Sequence, residues 1–283
     1  MDNTFPLRVF PRKTNATPED DMVRFDIPTL FDHPTEVHVS VTFTWDIEKG
    51  KRLADAWSMV CDNVKIDGPA FGNMGGEFTP GLYLKKGYTI TSRGCPNHCW
   101  FCSVPKREGY IRELEIKDGW IVTDNNLLAC SRPHIEKVFA MLERQHEHPV
   151  FTGGLEAKLL EAWHLEYLVK LKPTSLFFAY DTSDDYEPLV EAAKLLRHYN
   201  MIRKGNHAIR CYVLIGWKND KIDKANERLE KVARLGYMPF AMLYNHGEER
   251  EQDRKEWVSF ARTWANPWIV GTKFRNLYSA DVV

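Results

Sequence analysis

The chain has 283 residues, of which 43% are hydrophobic, and its 38 basic and 39 acidic residues leave a formal net charge of -1. This length suits one large domain, or one domain with an appendage. The near-neutral charge does not indicate a protein that binds nucleic acid or an anionic membrane through its charge alone. The sequence has no apolar run of about 18 or more residues, which excludes a transmembrane helix. The amino terminus is not typical of a secretory signal, so we expect a cytoplasmic protein with reduced cysteines.

Residues 1–80 are predicted to form a small α/β appendage. Residues 36–45 alternate apolar and polar side chains as a half-buried strand does, the apolar residues of 53–60 share one face of a helix, and residues 64–66 fit a second strand. Residues 67–81 are rich in glycine and proline, and we expect a surface loop or lid there.

From about residue 88 onward, short apolar runs alternate with helical patterns. The apolar residues of each run are consecutive, as in strands that are buried on both faces. The predicted strands are Tyr88–Ser92, Trp120–Thr123, Pro149–Thr152, Ser175–Tyr180, Ile209–Ile215 and Met238–Tyr244.

Helices are predicted between these runs, within residues 131–144, 156–170, 184–197 and 223–236, and a last helix is expected near residues 253–264. Ser131 is a candidate cap, Pro188 suits a first turn, and Gly236 suits a helix end. Strand–helix units repeated in this way predict a parallel sheet. Six such units favour a partial (βα)6 TIM-like barrel over residues 81–250, with a doubly wound sheet as the alternative. Residues 251–283 would add a helix and an aromatic tail.

The chemistry of the sequence is concentrated in one short segment. Cys95, Cys99 and Cys102 are three of the six cysteines and lie within eight positions. A structural zinc site needs four ligands, often in two separated pairs. The corners of a 4Fe-4S cluster each take one thiolate, so three closely spaced cysteines suit that cluster better and leave one iron open. Zinc, or three cysteines with no shared role, are the alternatives. The segment follows the first predicted strand, at the end of the barrel where such folds carry their chemistry.

These residues resemble a known superfamily. Cys95, Cys99 and Cys102, with an aromatic Phe101 before the last cysteine, match the CxxxCxxC signature of the radical S-adenosylmethionine (radical SAM) enzymes. Gly153 and Gly154, at the end of the third predicted strand, are similar to that superfamily's glycine motif. The partial (βα)6 barrel is also its fold, and the resemblance covers about residues 85–250.

The resemblance implies roles for individual residues. The three cysteines would hold the cluster, whose open iron would bind the methionine part of S-adenosylmethionine. A reduced cluster would cleave the C5′–S bond, and a 5′-deoxyadenosyl radical would then remove hydrogen from the substrate. The family's acidic residue often follows the glycines directly, whereas here Leu155 stands between them and Glu156. The remaining cofactor contacts expected from the resemblance are Phe101 and Ile215 at the adenine, Gly153, Gly154 and Glu156 at the methionine amino group, and Asp181 with Ser183 at the ribose.

Several roles stay open at this point. Asp181 could instead cap the following helix, and Ile215 could belong to an ordinary core strand. The candidate substrate residues are Asp124, Asn126, Arg210 and Tyr244, each with a solvated loop or a cap as its alternative. Cys61, Cys130 and Cys211 form no second cluster, and the cobalamin motif Asp-x-His-x-x-Gly is missing from a region that distantly resembles the end of a cobalamin-binding domain.

The resemblance predicts a radical SAM enzyme with an unidentified substrate. It also implies an external electron donor of the flavodoxin or ferredoxin type. No membrane partner is expected, and nucleic acid is not indicated. The alternative functions are a non-catalytic iron–sulfur or zinc protein with a redox or structural role, and a degenerate barrel that serves as a binding scaffold.

Overall fold

The computed structural model describes residues 5–72, 76–203, 206–244 and 254–280, without the side chains of residues 267 and 278–280. The chain divides into two compact units, the first ending at Asn125 and the second beginning at Asn126. Each unit combines parallel strands with helices, which confirms the predicted α/β class.

The first unit is built on a parallel sheet with the strand order β2-β1-β3-β4. These strands are β1 (Leu7–Val9), β2 (Val23–Arg24), β3 (Val37–Ser40) and β4 (Val64–Asp67), and helix α1 (Ile47–Trp57) lies between β3 and β4 in the chain. Valines of β1 and β3 pack against the apolar face of α1 to form the hydrophobic core of this sheet and helix. Strands β3 and β4 and helix α1 were predicted, whereas β1 and β2 were not.

Two buried side chains fasten the loops of this unit to the sheet. Trp57 is fully buried in the core, and its indole Nε1 donates a hydrogen bond to the carbonyl of Asp26 over 3.0 Å. Arg8 is also fully buried, donates to the carbonyls of Gly81 at 2.9 Å and Leu82 at 3.0 Å, and pairs with Asp20. The predicted loop at 67–81 contains a short 3-10 turn at Pro69–Phe71, and its residues 73–75 lie outside the described ranges.

The rest of the first unit carries the cysteine segment. Its elements are β5 (Tyr88–Thr89), β6 (Ser92–Arg93), helix α2 (Val104–Arg107), β7 (Arg112–Glu113) and β8 (Ile121–Val122). Strands β5 and β8 pair in parallel, and β6 and β7 pair antiparallel. The run predicted as one strand at residues 88–92 is therefore divided in two, and the cysteines lie between the paired strands β6 and β7.

The second unit alternates strands and helices as predicted and contains a parallel sheet with the order β12-β11-β10-β9. Its strands are β9 (Val150–Phe151), β10 (Ser175–Tyr180), β11 (Ile209–Ile215) and β12 (Met238–Leu243). Its helices are α3 (Arg132–Glu143), α4 (Ala162–Leu171), α5 (Tyr186–His198), α6 (Ile222–Arg234), α7 (Arg254–Ala265) and α8 (Pro267–Ala280).

The helix stripes read from the sequence are the buried faces. Leu189, Ala192 and Leu196 of α5 are buried, as are Leu229 and Val232 of α6. Helix α4 begins six residues later than predicted, because residues 157–159 form a 3-10 turn and Glu161 takes the capping position. Helix α8, within the predicted aromatic tail, was not expected.

The described helices include none that is long and apolar enough to cross a membrane.

Candidate functional site

The cysteine segment begins at a constrained glycine. Gly94 has a φ of +84°, and a Cβ at this position would lie 2.1 Å from the carbonyl oxygen of Tyr110. The next residue, Cys95, donates its backbone N–H to the carbonyl of Gly109 over 3.1 Å. Only glycine combines this backbone conformation with so close an approach, so the chain enters the cysteine segment in a fixed direction.

Cys99 and Cys102 are joined by a turn, in which the backbone N–H of Cys102 donates to the carbonyl of Cys99 over 3.1 Å. Cys99 is exposed, and Cys95 and Cys102 are half-buried. The ring of Phe101 is half-buried and packs edge-on against Trp100 at a centroid distance of 5.1 Å. The segment therefore presents its thiols at an accessible surface with aromatic rings beside them.

The donor set of this segment fits an iron–sulfur cluster, because three thiols from one short loop are the ligand type that such clusters take. Across the ranges that the structure describes, no group of three or more histidine, cysteine, aspartate or glutamate side chains is arranged to hold a metal ion. The cluster at Cys95, Cys99 and Cys102 stays a prediction.

Asp124, a predicted substrate residue, lies two residues after the end of β8 and is only 2% exposed. Its carboxylate accepts hydrogen bonds from the Thr91 backbone N–H at 2.6 Å, the Thr91 hydroxyl at 2.5 Å and the Ser92 hydroxyl at 2.8 Å. Burial raises the pKa of the Asp124 carboxyl, although these hydrogen bonds act in the opposite direction. Both oxygens of the carboxylate are thus occupied by hydrogen bonds from Thr91 and Ser92, which precede the cysteines.

In the second unit, the predicted glycine motif follows β9. Leu155 is buried and donates its N–H to the carbonyl of Phe177 over 2.7 Å, which holds the motif against β10. Neither Gly153 nor Gly154 has a positive φ, and a Cβ on Gly154 would meet no described atom within 4 Å. Neither backbone conformation nor internal packing requires glycine at 154, and the open space beside it would admit a ligand close to the backbone.

Glu156, which follows this motif, pairs with two neighbours. Asn126 donates its side-chain amide to Glu156 Oε2 over 2.6 Å, and Lys158 Nζ lies 2.5 Å from Oε1. Asn126 is 3% exposed, and most of the Glu156 side chain is also buried. A predicted substrate residue and a predicted cofactor residue are therefore in direct contact.

Asp181 follows β10 and does not cap the next helix. Thr182 and Asp185 form a capping box at the 3-10 turn Ser183–Asp185, and Asp185 is also the N-cap residue of α5. Asp185 Oδ2 accepts the backbone N–H groups of Thr182 at 2.7 Å and Asp181 at 3.0 Å. Burial, together with the nearby charge of Asp185, raises the pKa of the Asp181 carboxyl to about 7, against the opposing effect of a hydrogen bond from the Leu214 backbone. Asp181 is thus a carboxyl group that titrates near neutral pH at the end of a strand.

Ser183 is exposed, and its hydroxyl donates to Asp184 over 3.3 Å. At the ends of β11 and β12, the buried Ile215 accepts the backbone N–H of Tyr244 over 2.9 Å. The carboxyl ends of parallel strands meet at one edge, so Gly153, Asp181 and Ile215 share that edge of the second unit.

Arg210 lies elsewhere. It is the second residue of β11, pairs in register with Phe177, and places its guanidinium over that ring at 5.5 Å. Ile215 lies five positions further along the strand, which corresponds to roughly 16 Å. The structure therefore places Arg210 near the amino end of its strand, away from the edge that carries Asp181. Counting positions from the start of the strand would have indicated this.

The sequence interpretation assigned no role to the residues that shape the base of the cysteine segment, which are Thr91, Ser92, Gly94 and Gly109. The only signal for them was the glycine immediately before Cys95. Comparison of the chain with models of protein families gives no match, and comparison with curated proteins gives none.

Proposed function

We propose that the chain is a radical SAM enzyme. Cys95, Cys99 and Cys102 would hold a 4Fe-4S cluster as thiolates, and S-adenosylmethionine would be its cofactor. The observation that carries the proposal is the CxxxCxxC spacing on a segment that lies between the paired strands β6 and β7 and presents its thiols at an accessible surface. The glycine motif after β9 supports it independently.

When bound, such a cluster supplies the electron that cleaves the cofactor's C5′–S bond, which yields a 5′-deoxyadenosyl radical able to abstract hydrogen from a substrate. The chain's own groups would bind and orient the cofactor. Gly153 and Gly154 would let the methionine amino group approach the backbone, and Glu156 would attract its positive charge. The accessible space beside Gly154 supports this role.

The adenosine part would meet the other predicted residues. Phe101 and Ile215 would provide apolar contact to the adenine, and Asp181 with Ser183 would bind the ribose hydroxyls. A carboxyl group with a pKa of about 7 is present in both protonation states at neutral pH, so Asp181 can accept a hydrogen bond from a hydroxyl or donate one to it.

The fold class that suits this function is a partial (βα)6 barrel, in which ligands bind at the carboxyl ends of the strands. Tyr244 lies at that end of its strand and is the better placed substrate candidate of the pair Tyr244 and Arg210. The proposal also requires an external electron donor of the flavodoxin or ferredoxin type, and we propose a cytoplasmic location for the protein.

The test is anaerobic reconstitution of the full chain with iron and sulfide, followed by metal analysis and electron paramagnetic resonance with and without S-adenosylmethionine. The expected result is about four irons per chain and a spectrum that changes when the cofactor is added. Cys99→Ala should abolish both, whereas the control Cys130→Ala should preserve both. Tightly bound zinc without iron uptake would overturn the proposal in favour of a structural metal site.

A further inference from the structure

A single buried carboxylate organises the chain immediately before the cysteine segment. Asp124, Thr91 and Ser92 are each at most 2% exposed. Three donors, a backbone N–H and two hydroxyls, point at the two oxygens of Asp124 over 2.5 to 2.8 Å. Burial of a carboxylate is costly unless it receives such hydrogen bonds, and here they all come from two consecutive residues. The carboxylate therefore holds the backbone at residues 91 and 92 in one position.

The neighbouring residue extends this attachment to the cysteines. Asn125 accepts the backbone N–H of Gly94 on its side-chain oxygen over 3.0 Å. Gly94 is itself confined by its positive φ and by the Tyr110 carbonyl, and Cys95 is tied to Gly109. The path of the chain into Cys95 is thus held from residues 124–125 on one side and from residues 109–110 on the other.

We propose that Asp124 and Asn125 are positioning residues that fix the base of the cysteine segment and thereby set the relative placement of its three thiols. This inference rests on the proposed function, since its consequence is the stability of the cluster that those thiols would hold. It assigns Asp124 to the support of the metal ligands rather than to the substrate. Second-layer hydrogen bonds of this kind commonly change metal affinity about ten- to hundredfold when they are removed.

The matched control is Asp32, a buried aspartate in the same unit. Its carboxylate also accepts a backbone N–H and a hydroxyl, both from Thr29 at 2.9 and 2.7 Å, and it also pairs with Arg24. Asp32→Asn and Asp124→Asn therefore remove a charge from comparable networks, but only one of these networks contacts residues 91–92. Asn125→Ala removes the Gly94 contact while leaving the buried carboxylate in place, and it serves if Asp124→Asn fails to fold.

The first measurement uses the metal-free full chain and does not depend on the cluster. Iodoacetamide is added, and alkylation of Cys95 is followed by mass spectrometry, with Cys130 as the internal reference. In Asp124→Asn, the hydrogen bonds that hold residues 91 and 92 are weakened, so the chain before Cys95 should unfold locally more often. Alkylation of Cys95 should therefore be at least about tenfold faster than in the wild type. The rate in Asp32→Asn should match that of the wild type.

The second measurement follows the loss of iron from the reconstituted protein to a chelator, with the electron paramagnetic resonance spectrum of the reduced form. Asp124→Asn should lose iron at least about tenfold faster than the wild type and show an altered spectrum, while Asp32→Asn shows neither change. Wild-type rates and spectra in both Asp124→Asn and Asn125→Ala would overturn the inference, as would equal effects of Asp32→Asn. If the wild-type protein takes up no iron, the proposed function fails and the cluster-supporting role fails with it, whatever the alkylation rates show.

Discussion

The side-chain amide of Asn126 donates a hydrogen bond to Glu156 Oε2 over 2.6 Å, and Lys158 lies at the other carboxylate oxygen. These two neighbours fix the orientation of the Glu156 side chain directly after the glycine motif. The carboxylate would still be able to bind a cationic group, since Lys158 is largely exposed and its pair with Glu156 is partly screened by solvent.

This relationship predicts unequal effects on cofactor binding. Glu156→Ala should weaken S-adenosylmethionine binding by at least about tenfold, because a hydrogen bond to a charged group contributes about 1.5–3 kcal/mol. Lys158→Ala, the control, should change the affinity less than about threefold, because a largely exposed pair contributes little. Anaerobic isothermal titration calorimetry on the reconstituted protein measures both. Equal affinities for the two variants would contradict a role for Glu156.

Two glycines beside the cysteine segment form a second matched comparison. Gly94 and Gly109 both have positive φ, but a Cβ at 94 would strike the Tyr110 carbonyl, whereas a Cβ at 109 would meet no described atom within 4 Å. Gly109→Ala should cost about 1 kcal/mol of unfolding free energy, and Gly94→Ala at least about 3 kcal/mol, because only the latter adds a steric clash. Urea unfolding gives both values, and similar losses would refute the packing described at Gly94.

The raised pKa of Asp181 predicts that the free energy of unfolding depends on pH. Its folded-state pKa of about 7 lies above the ordinary value of 3.8, so the neutral form is favoured in the fold. The fold therefore has its full stability from this group below about pH 4 and loses it as the pH rises through 7, by up to about 4 kcal/mol. Asp181→Asn should remove this dependence. Denaturant unfolding of both proteins from pH 4 to 7.5 measures it, and a constant difference between them would be the contrary result.

The lowered pKa of His164 predicts the opposite change of the free energy of unfolding with pH. Burial lowers its pKa to about 4 from an ordinary 6.5, and its ring nitrogen Nδ1 accepts the backbone N–H of Glu161 over 2.9 Å. Stability from the neutral ring is complete above about pH 6.5 and is lost as the pH falls toward 4, by up to about 3 kcal/mol. His164→Asn keeps an acceptor without titrating in this range, so its deficit relative to the wild type should shrink on acidification. A deficit that stays the same from pH 7 to pH 4.5 would contradict this account.

The regular elements of the second unit could be predicted because their signals are local. The apolar run of β11 and the buried stripes of α5 and α6 are each contained in a few turns or a few strand residues. Strand β1 was not predicted because it has only three residues and a charged Arg8 at its centre. The burial of Arg8 depends on hydrogen bonds to the carbonyls of Gly81 and Leu82, which are distant in the sequence. Helix α4 was predicted to begin too early because residues 157–159 form a separate 3-10 turn and Glu161 caps the helix itself.

In the candidate site, too, local features could be predicted from the sequence and contacts between distant residues could not. Spacing along the chain identified Cys95, Cys99 and Cys102, since the motif lies within one segment. The hydrogen bonds between Asp124 and Thr91 could not be predicted from the sequence, because 33 positions separate the two residues and only the pairing of β5 with β8 brings them together. The hydrogen bonds of Asp185, which spacing does not show, likewise distinguish Asp181 from an ordinary helix cap.

The most direct test of the central claim is formation of 5′-deoxyadenosine. The reconstituted full chain is reduced anaerobically with dithionite in the presence of S-adenosylmethionine, and the product is quantified by mass spectrometry beside Cys99→Ala and Cys130→Ala. The proposed function predicts 5′-deoxyadenosine from the wild type and from Cys130→Ala, and none from Cys99→Ala. A chain that is loaded with iron but forms no product and shows no spectral response to S-adenosylmethionine would contradict it.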